Sequence, residues 1–398
     1  MDYPDEMGGT DLAVSALGVR IVLDLELVAS RELRQQIRDL WTDATPPAGD
    51  AAVRSASLRL SDTVPDPGST GSRIRQDRTR VDIVSDDFRI LASALSSQVT
   101  LKAIEARKGE LVMLHACGIA EPDGRVTAFV GPSGRGKTTL ASRLARRFGY
   151  VTDETVGVDA EGRVHPYRKP LSVIESGSHH GDKTQLNSQE LGLVPLPAEP
   201  LVLGAICLIE RDPEHEAAPD VTEVGLAEAI TALVPELSYL PALERPLQTL
   251  AALIDRVGGV RRIRYQDAEQ VVDVVPGLRS RPRSPQLWEA LPAESAPRVR
   301  SDDVYHRAPA DDGISISGVY VFLHGTRVQV VDGVGPLIWD ALPADRATIT
   351  DDVVARIGVP ETGDARTLID QALDDLIDAG IVEAGVHRDD AVAVEESS

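Results

Sequence analysis

The chain has 398 residues, with 41 Lys and Arg against 63 Asp and Glu, and a formal net charge of −22 at pH 7. That length suits roughly two or three domains, each burying its own core, and the acidic balance excludes nucleic acid and anionic membrane surfaces, which bind through clustered Lys and Arg. The acidic N-terminus MDYPDEMGGTD and the lack of an apolar run of about 18 residues exclude a signal peptide and a membrane span, and two cysteines in apolar segments, Cys117 and Cys207, read as buried reduced thiols of a cytoplasmic protein.

Residues 12–27 group Val, Ile and Leu as one or two strands would, and 31–42 read as a helix. Between 46 and 72 repeated Pro, Gly, Asp and Ser predict an exposed loop around one short strand at 56–60. A strand is expected at 80–84. A long helix follows at 88–107, its apolar face formed by Ile90, Leu91, Ala94, Leu95, Val99 and Leu101. LVMLH at 111–115 reads as a buried strand, EPDG at 121–124 as a turn, and VTAFV at 126–130 as a second strand. After it come GPSGRGKTT at 131–139 and a helical stretch, 140–148, closed by Gly149. LVLGAICLIE at 201–210 is a third apolar strand, with helices expected at 223–234 and 246–257.

Five prolines among Arg and Ser mark 275–300 as an exposed linker. Beyond it a hairpin is expected at 318–332 with His324-Gly325 at its turn, then helices at 335–342, 349–357 and 364–379. The last carries Leu368, Ala372 and Leu376 beside Ile369, Leu373 and Ile377, and stops at Gly380. The acidic tail 387–398 reads as disordered, and there is no internal repeat.

The segment 131–139 has the form GxxxxGK[ST], a phosphate-binding loop between an apolar strand and a helix. Glycines let such a loop curl so that successive backbone N–H groups and the positive end of the helix face an anion. Gly131, Ser133, Gly134, Arg135, Gly136, Lys137, Thr138 and Thr139 are therefore the candidate nucleotide residues, with ATP and Mg²⁺ as cofactors. Lys137 would reach the β/γ-phosphates and the Thr138 hydroxyl the metal. Only five of the 41 basic residues are lysines, and one of them occupies this position.

A phosphate-binding loop alone does not separate ATPases, transporters and kinases, so the surrounding residues decide. Asp153 and Glu154 are adjacent carboxylates at a strand end, able to hold Mg²⁺ or take a proton from an attacking hydroxyl. Glu210 or Asp212, after the third apolar strand, keep a simple ATPase open, whereas no transporter-type LSGGQ sequence is present. His115 ends an apolar run and reads either as a core residue or as part of the site.

His115-Ala116-Cys117-Gly118, the strand and loop at 126–139, Asp153-Glu154 and Pro166-Tyr167-Arg168-Lys169-Pro170 together resemble the catalytic domain of HPr kinase/phosphorylase and its relatives, over residues 101–274. The resemblance implies an α/β P-loop kinase domain, with His115 in the upstream His position, Lys137 and Thr138 at the nucleotide, and Asp153 as the base that activates a serine. Glu154 stands where the family has a second Asp, and the Gly-rich signature tied to phosphorylase activity is missing, so the forward reaction is the one implied. Residues 301–384 resemble a PqqD-like, winged-helix-like domain that captures a leader peptide as an added strand. The implied layout is an N-terminal α+β region (1–100), the kinase domain (101–275), a linker (276–300), the recognition domain (301–386) and a tail (387–398). The combination is similar to tailoring kinases of lasso-type peptide clusters, with a precursor peptide as partner. A small-molecule kinase and a nucleotide-gated chaperone are the alternatives, and the oligomeric state stays open, a homo-oligomer included.

Overall fold

The structure, a computed structural model, describes residues 11–46, 55–62, 73–77, 80–85, 87–132, 134–174, 183–278, 287–292, 303–359 and 364–384. Ser133, most of the expected linker and the tail 387–398 lie outside these residues. The architecture is mixed α/β with several sheets. No helix among the described residues is long and apolar enough to cross a membrane.

The chain gathers into two compact units that do not follow sequence order. One holds Met1–Val224, Glu236–Leu243 and Leu253–Arg283, and the other Gly225–Pro235, Glu244–Ala252 and Ser284–Ser398. The segment at 1–100 and most of 101–275, apart from 225–235 and 244–252, thus fall in one unit. The physical reason is a common core, because Leu111, Met113 and Tyr167 are buried together with the Val, Ile and Leu side chains of the N-terminal strands.

In the first unit, the hairpin Asp11–Ala16 and Val19–Leu27 starts a five-stranded sheet completed by Ser55–Ser61, Arg80–Val84 and Arg73–Asp77. The helix Phe88–Ala106 packs on this sheet. Its buried face is Leu91, Ala92, Leu95, Ser96, Val99, Thr100 and Ala103, whereas Ile90 and Leu101, expected inside, are exposed. The inward face tolerates Thr100 because its hydroxyl meets the buried Tyr167 hydroxyl at 2.8 Å. A second, six-stranded sheet carries Arg125–Val130 between Val202–Arg211, its parallel neighbour, and Ala116–Ala120, its antiparallel one. Cys117 and Cys207 are buried and free in this layer, and burial pushes the Cys207 thiol up to about 12.

Three further differences from expectation have local causes. The helix after the phosphate-binding loop spans Lys137–Leu144, earlier than 140–148, and Gly149 opens the next strand instead of closing the helix. Residues expected to be helical from 223 onward begin as the strand Asp220–Val224, which pairs with Val260–Tyr265, before the helix Leu226–Leu233 starts. Val260–Tyr265 itself went unread because its sequence, VRRIRY, is half arginine.

In the second unit, Asp312–Ile316, Val319–His324 and Arg327–Val331 form an antiparallel meander, with the turn after His324 where the sequence placed it. Trp288–Ala290, inside the expected linker, is a strand paired to the far side of Asp312–Ile316. Three helices, Gly335–Ala341, Arg346–Ile357 and Ala365–Asp378, bury Ile338, Trp339, Ile349, Val353, Ile369, Leu373 and Leu376 as one core. Leu368, expected on that face, is exposed.

Asp312 explains why a mid-chain segment belongs to this unit. Its carboxylate accepts from Leu247 N (2.8 Å) and Gln248 N (3.0 Å), capping the helix Pro246–Arg256, whose first residue Pro246 has no N–H to satisfy. Asp312→Ala should therefore lower stability by about 1 kcal/mol, read as a lower urea midpoint for the full chain. An unchanged midpoint would show that this cap contributes nothing.

Candidate functional site

The phosphate-binding loop leaves the central strand Arg125–Val130 at Gly131. A Cβ on Gly131 would sit 2.7 Å from Ile209 Cγ1 on the neighbouring strand, so only glycine lets the chain turn over that strand. Gly136 has φ 91° and precedes the helix Lys137–Leu144, which has no side-chain cap. Its first N–H groups are thus left for an anion. Lys137 is 7% exposed, and its ammonium donates to the Gly131 carbonyl. Burial lowers its pKa, opposed by the negative charges of Glu236 and Glu154.

The acidic end of the site is built from the strand Gly149–Thr152. Thr152 Oγ1 accepts from Glu154 N (3.2 Å) and Thr155 N (3.3 Å), a side-chain turn that bends the chain as it leaves the sheet. Asp153, 4% exposed, accepts at Oδ1 from the Tyr150 hydroxyl (3.1 Å) and from Lys169 Nζ (3.0 Å). Glu154 Oε2 lies 3.3 Å from the same ammonium and is the more open of the two carboxylates. Burial acts to lower the Lys169 pKa, but the charges of Asp153 and Glu154 outweigh it and the net shift is upward. His115 Nδ1 lies 3.1 Å from the Glu154 carbonyl, which can only accept, so Nδ1–H is the donor of this bond. The backbone is tied here as well, with His115 N donating to Glu236 O and Ala116 N to Glu154 O.

A cleft of about 950 Å³ joins the two ends. Its lining brings together residues 134–139 of the loop with His115, Asp153 and Glu154, all selected from the sequence. Gly131 stands at the base of the loop. The cleft shares Gly136, Thr139, Arg143 and Arg211 with a hollow of about 330 Å³ that adds Tyr265 and Asp267. Glu210 and Asp212 are not among the lining residues: Glu210 faces Arg262 at 3.9 Å and Asp212 pairs with Arg264.

Lys169, which the sequence marks only as part of the Pro166–Pro170 segment, lines the cleft and bridges both acids. The scarcity of lysine in an Arg-rich chain was a usable signal, because an isolated Lys in such a sequence marks a place where a compact point charge is needed. Glu236, whose charge acts on Lys137, had no sequence signal at all, because its position depends on pairing of Leu237–Ser238 with Val112–Leu114.

No protein-family model matches the chain. A stretch of 115 residues, 28% of this chain, is 32% identical to the ATP-dependent lipid A-core flippase of Francisella novicida and to that of Francisella tularensis subsp. tularensis (strain SCHU S4 / Schu 4). The match covers 19% of those proteins' length.

Lys169→Met removes the ammonium and leaves two carboxylates facing each other in a buried corner. The variant should lose about 3 kcal/mol of stability. Because the folded lysine titrates above its ordinary value, the pair's contribution is complete below that value and is lost as pH rises through the folded pKa. The stability gap between wild type and variant should therefore hold from roughly pH 6 to 10 and narrow only as pH rises past the ordinary lysine value of about 10.4 and through the higher folded one. Equal denaturation midpoints at neutral pH would contradict the arrangement.

Proposed function

We infer that the chain is an ATP-dependent, HPr kinase-like P-loop kinase that phosphorylates a hydroxyl, a serine by resemblance, on a precursor peptide held by its C-terminal, PqqD-like unit. The observation that carries this reading is the convergence of the loop residues 134–139 and the Asp153–Lys169–Glu154 cluster on one cleft. Loop N–H groups and Lys137 stabilise phosphate charge, and Thr138 with Glu154 would hold Mg²⁺. Bound Mg²⁺ supplies neutralisation of the phosphate oxygens. The hollow beside Tyr265 gives the nucleoside room next to Thr139.

Asp153 takes the hydroxyl proton. Its Oδ1 is held by Tyr150 and Lys169, which leaves Oδ2 as the oxygen assigned to that transfer. His115 positions Glu154 through the Nδ1–H bond to its carbonyl. Lys169 fixes both carboxylates at once, so neither rotates away from the acceptor.

For the peptide, Arg327–Val331 is an edge strand, paired among the described residues only with Val319–His324. The opposite edge of the meander is covered by Trp288–Ala290, and Val330 on the open strand is 46% exposed. That geometry supports capture of a leader segment by strand addition, and tethering raises its local concentration at the cleft.

The flippases that share a stretch with this chain are ATP-dependent by name, which favours one second reading, an ATPase that transfers no phosphate to a hydroxyl. Against it, the acids at the end of Val202–Arg211 are engaged by Arg262 and Arg264 instead of lining the cleft.

Mg-ATP and serine peptides, followed by mass spectrometry, separate the two. Lys137→Ala should abolish transfer and weaken ATP binding. Asp153→Asn should still bind ATP while transfer falls roughly 10²-fold. Transfer at the wild-type rate in Asp153→Asn would remove the base assignment, and ATP consumption without any phosphopeptide would favour the ATPase.

A further inference from the structure

The wall of the cleft away from the phosphate-binding loop has a chemistry the kinase reading does not use. Ser172 and Gln185 face each other across the antiparallel pair Leu171–Ile174 and Lys183–Leu186. Gln185 is 6% exposed, and its Nε2 donates to Ser172 Oγ at 2.6 Å. Its Oε1 is buried and has no hydrogen-bond partner among the described residues. Both residues line the same cleft as Asp153 and Lys169. The helix Phe88–Ala106 packs against Lys183–Leu186 and brings Ser93, Ser96 and Ser97 to that cleft.

A buried carboxamide oxygen without a donor costs on the order of 1–3 kcal/mol, and such groups are rare unless a ligand or water completes them. Turning the amide over exchanges its ends, but the Ser172 hydroxyl donates as readily as it accepts, so one end of Gln185 stays unmatched either way. Among the described residues, the neighbouring side chains on this wall are the hydroxyls of Ser93, Ser96, Ser97 and Ser172 with the apolar Val173, and neither a charge nor an aromatic ring is among them. A charged ligand or a flat apolar one finds no complement there. A peptide amide does, because a carboxamide pairs with it as one peptide group pairs with another.

We propose that Gln185, oriented by Ser172, is the acceptor-binding subsite of this cleft and takes the backbone N–H of a peptide residue next to the hydroxyl that receives phosphate. The proposal rests on the kinase reading and adds to it the substrate class and the residue that selects it. A backbone contact of this kind fixes the distance of the hydroxyl from Asp153 while leaving neighbouring side chains unread. Sequence selection then falls to the leader-binding unit.

The test uses the full-length protein, Mg-ATP and acetylated, amidated pentapeptides with a central serine flanked by alanines, unmodified or N-methylated at one amide at a time. With wild type, methylation of one amide adjacent to serine should raise the peptide KM roughly tenfold, the effect of losing one buried hydrogen bond, while the remaining positions change it by less than about twofold. Gln185→Leu, similar in volume, should show the raised KM with the unmodified peptide and no further response to methylation, with ATP affinity and peptide-free ATP hydrolysis preserved. Wild type indifferent to methylation at every position overturns the proposal even if Gln185→Leu fails to fold. So does a folded Gln185→Leu with unchanged KM. Wild type that hydrolyses ATP but phosphorylates none of the peptides overturns the kinase reading and the subsite with it, a result distinct from transfer that persists without dependence on Gln185.

Discussion

One buried ammonium organises the first unit. Lys169 sits between Asp153 and Glu154 at 3.0 and 3.3 Å, 4% exposed, and without it two neighbouring carboxylates would lie together with no counter-charge. The chain on either side is tied down with equal care. Tyr167 is buried in the N-terminal core with its hydroxyl on Thr100, and Arg168 bonds Ser188 at 3.1 Å and faces Asp43 at 3.4 Å. Three consecutive side chains thus connect the N-terminal sheet, the loop near residue 188 and the acidic pair. The position of the acids relative to the phosphate-binding loop depends on that segment. Through Tyr167 that segment shares a core with the N-terminal strands and the helix Phe88–Ala106.

The electrostatics of the cleft run against those of the chain. With 63 acidic and 41 basic residues, the protein as a whole repels a nucleoside triphosphate. The cleft reverses this locally, since Arg135, Lys137, Arg143, Lys169 and Arg211 line it against Asp153 and Glu154. Burial makes the charge of Lys137 costly to hold, and the Gly131 carbonyl, to which its ammonium donates, offsets part of that cost. An acidic exterior with a cationic cleft favours one compact anion and discriminates against polyanions, which need a broad basic surface.

What could be read from the sequence was mostly local. The residues singled out at 134–139 line one cleft, and the strand at 80–84 and the start of the helix at Phe88 fell where periodicity put them. Asp153, Glu154 and His115, singled out by residue type and position, line the same cleft. Tertiary context defeated the rest. Thr100 points inward because Tyr167 supplies a partner for its hydroxyl, which no apolar pattern signals. Asp312 caps a helix that begins 66 residues earlier in the chain, at Pro246, so unit boundaries drawn along the sequence could not anticipate it. The strand Trp288–Ala290 was hidden in a proline-rich stretch because three residues are too few to show alternation.

The central claim is that the phosphate-binding loop and the Lys169-bridged acids act on one phosphoryl group. A crystal structure of the full chain with Mg²⁺ and a non-hydrolysable ATP analogue tests it most directly. The terminal phosphate should lie against Lys137 and the loop amides, with the Asp153 carboxylate across the remaining gap at a distance that admits one hydroxyl oxygen, about 5–6 Å from phosphorus. A nucleotide seated with its terminal phosphate turned away from Asp153, or an Asp153–Lys169 pair that stays sealed from the phosphate, would contradict the account.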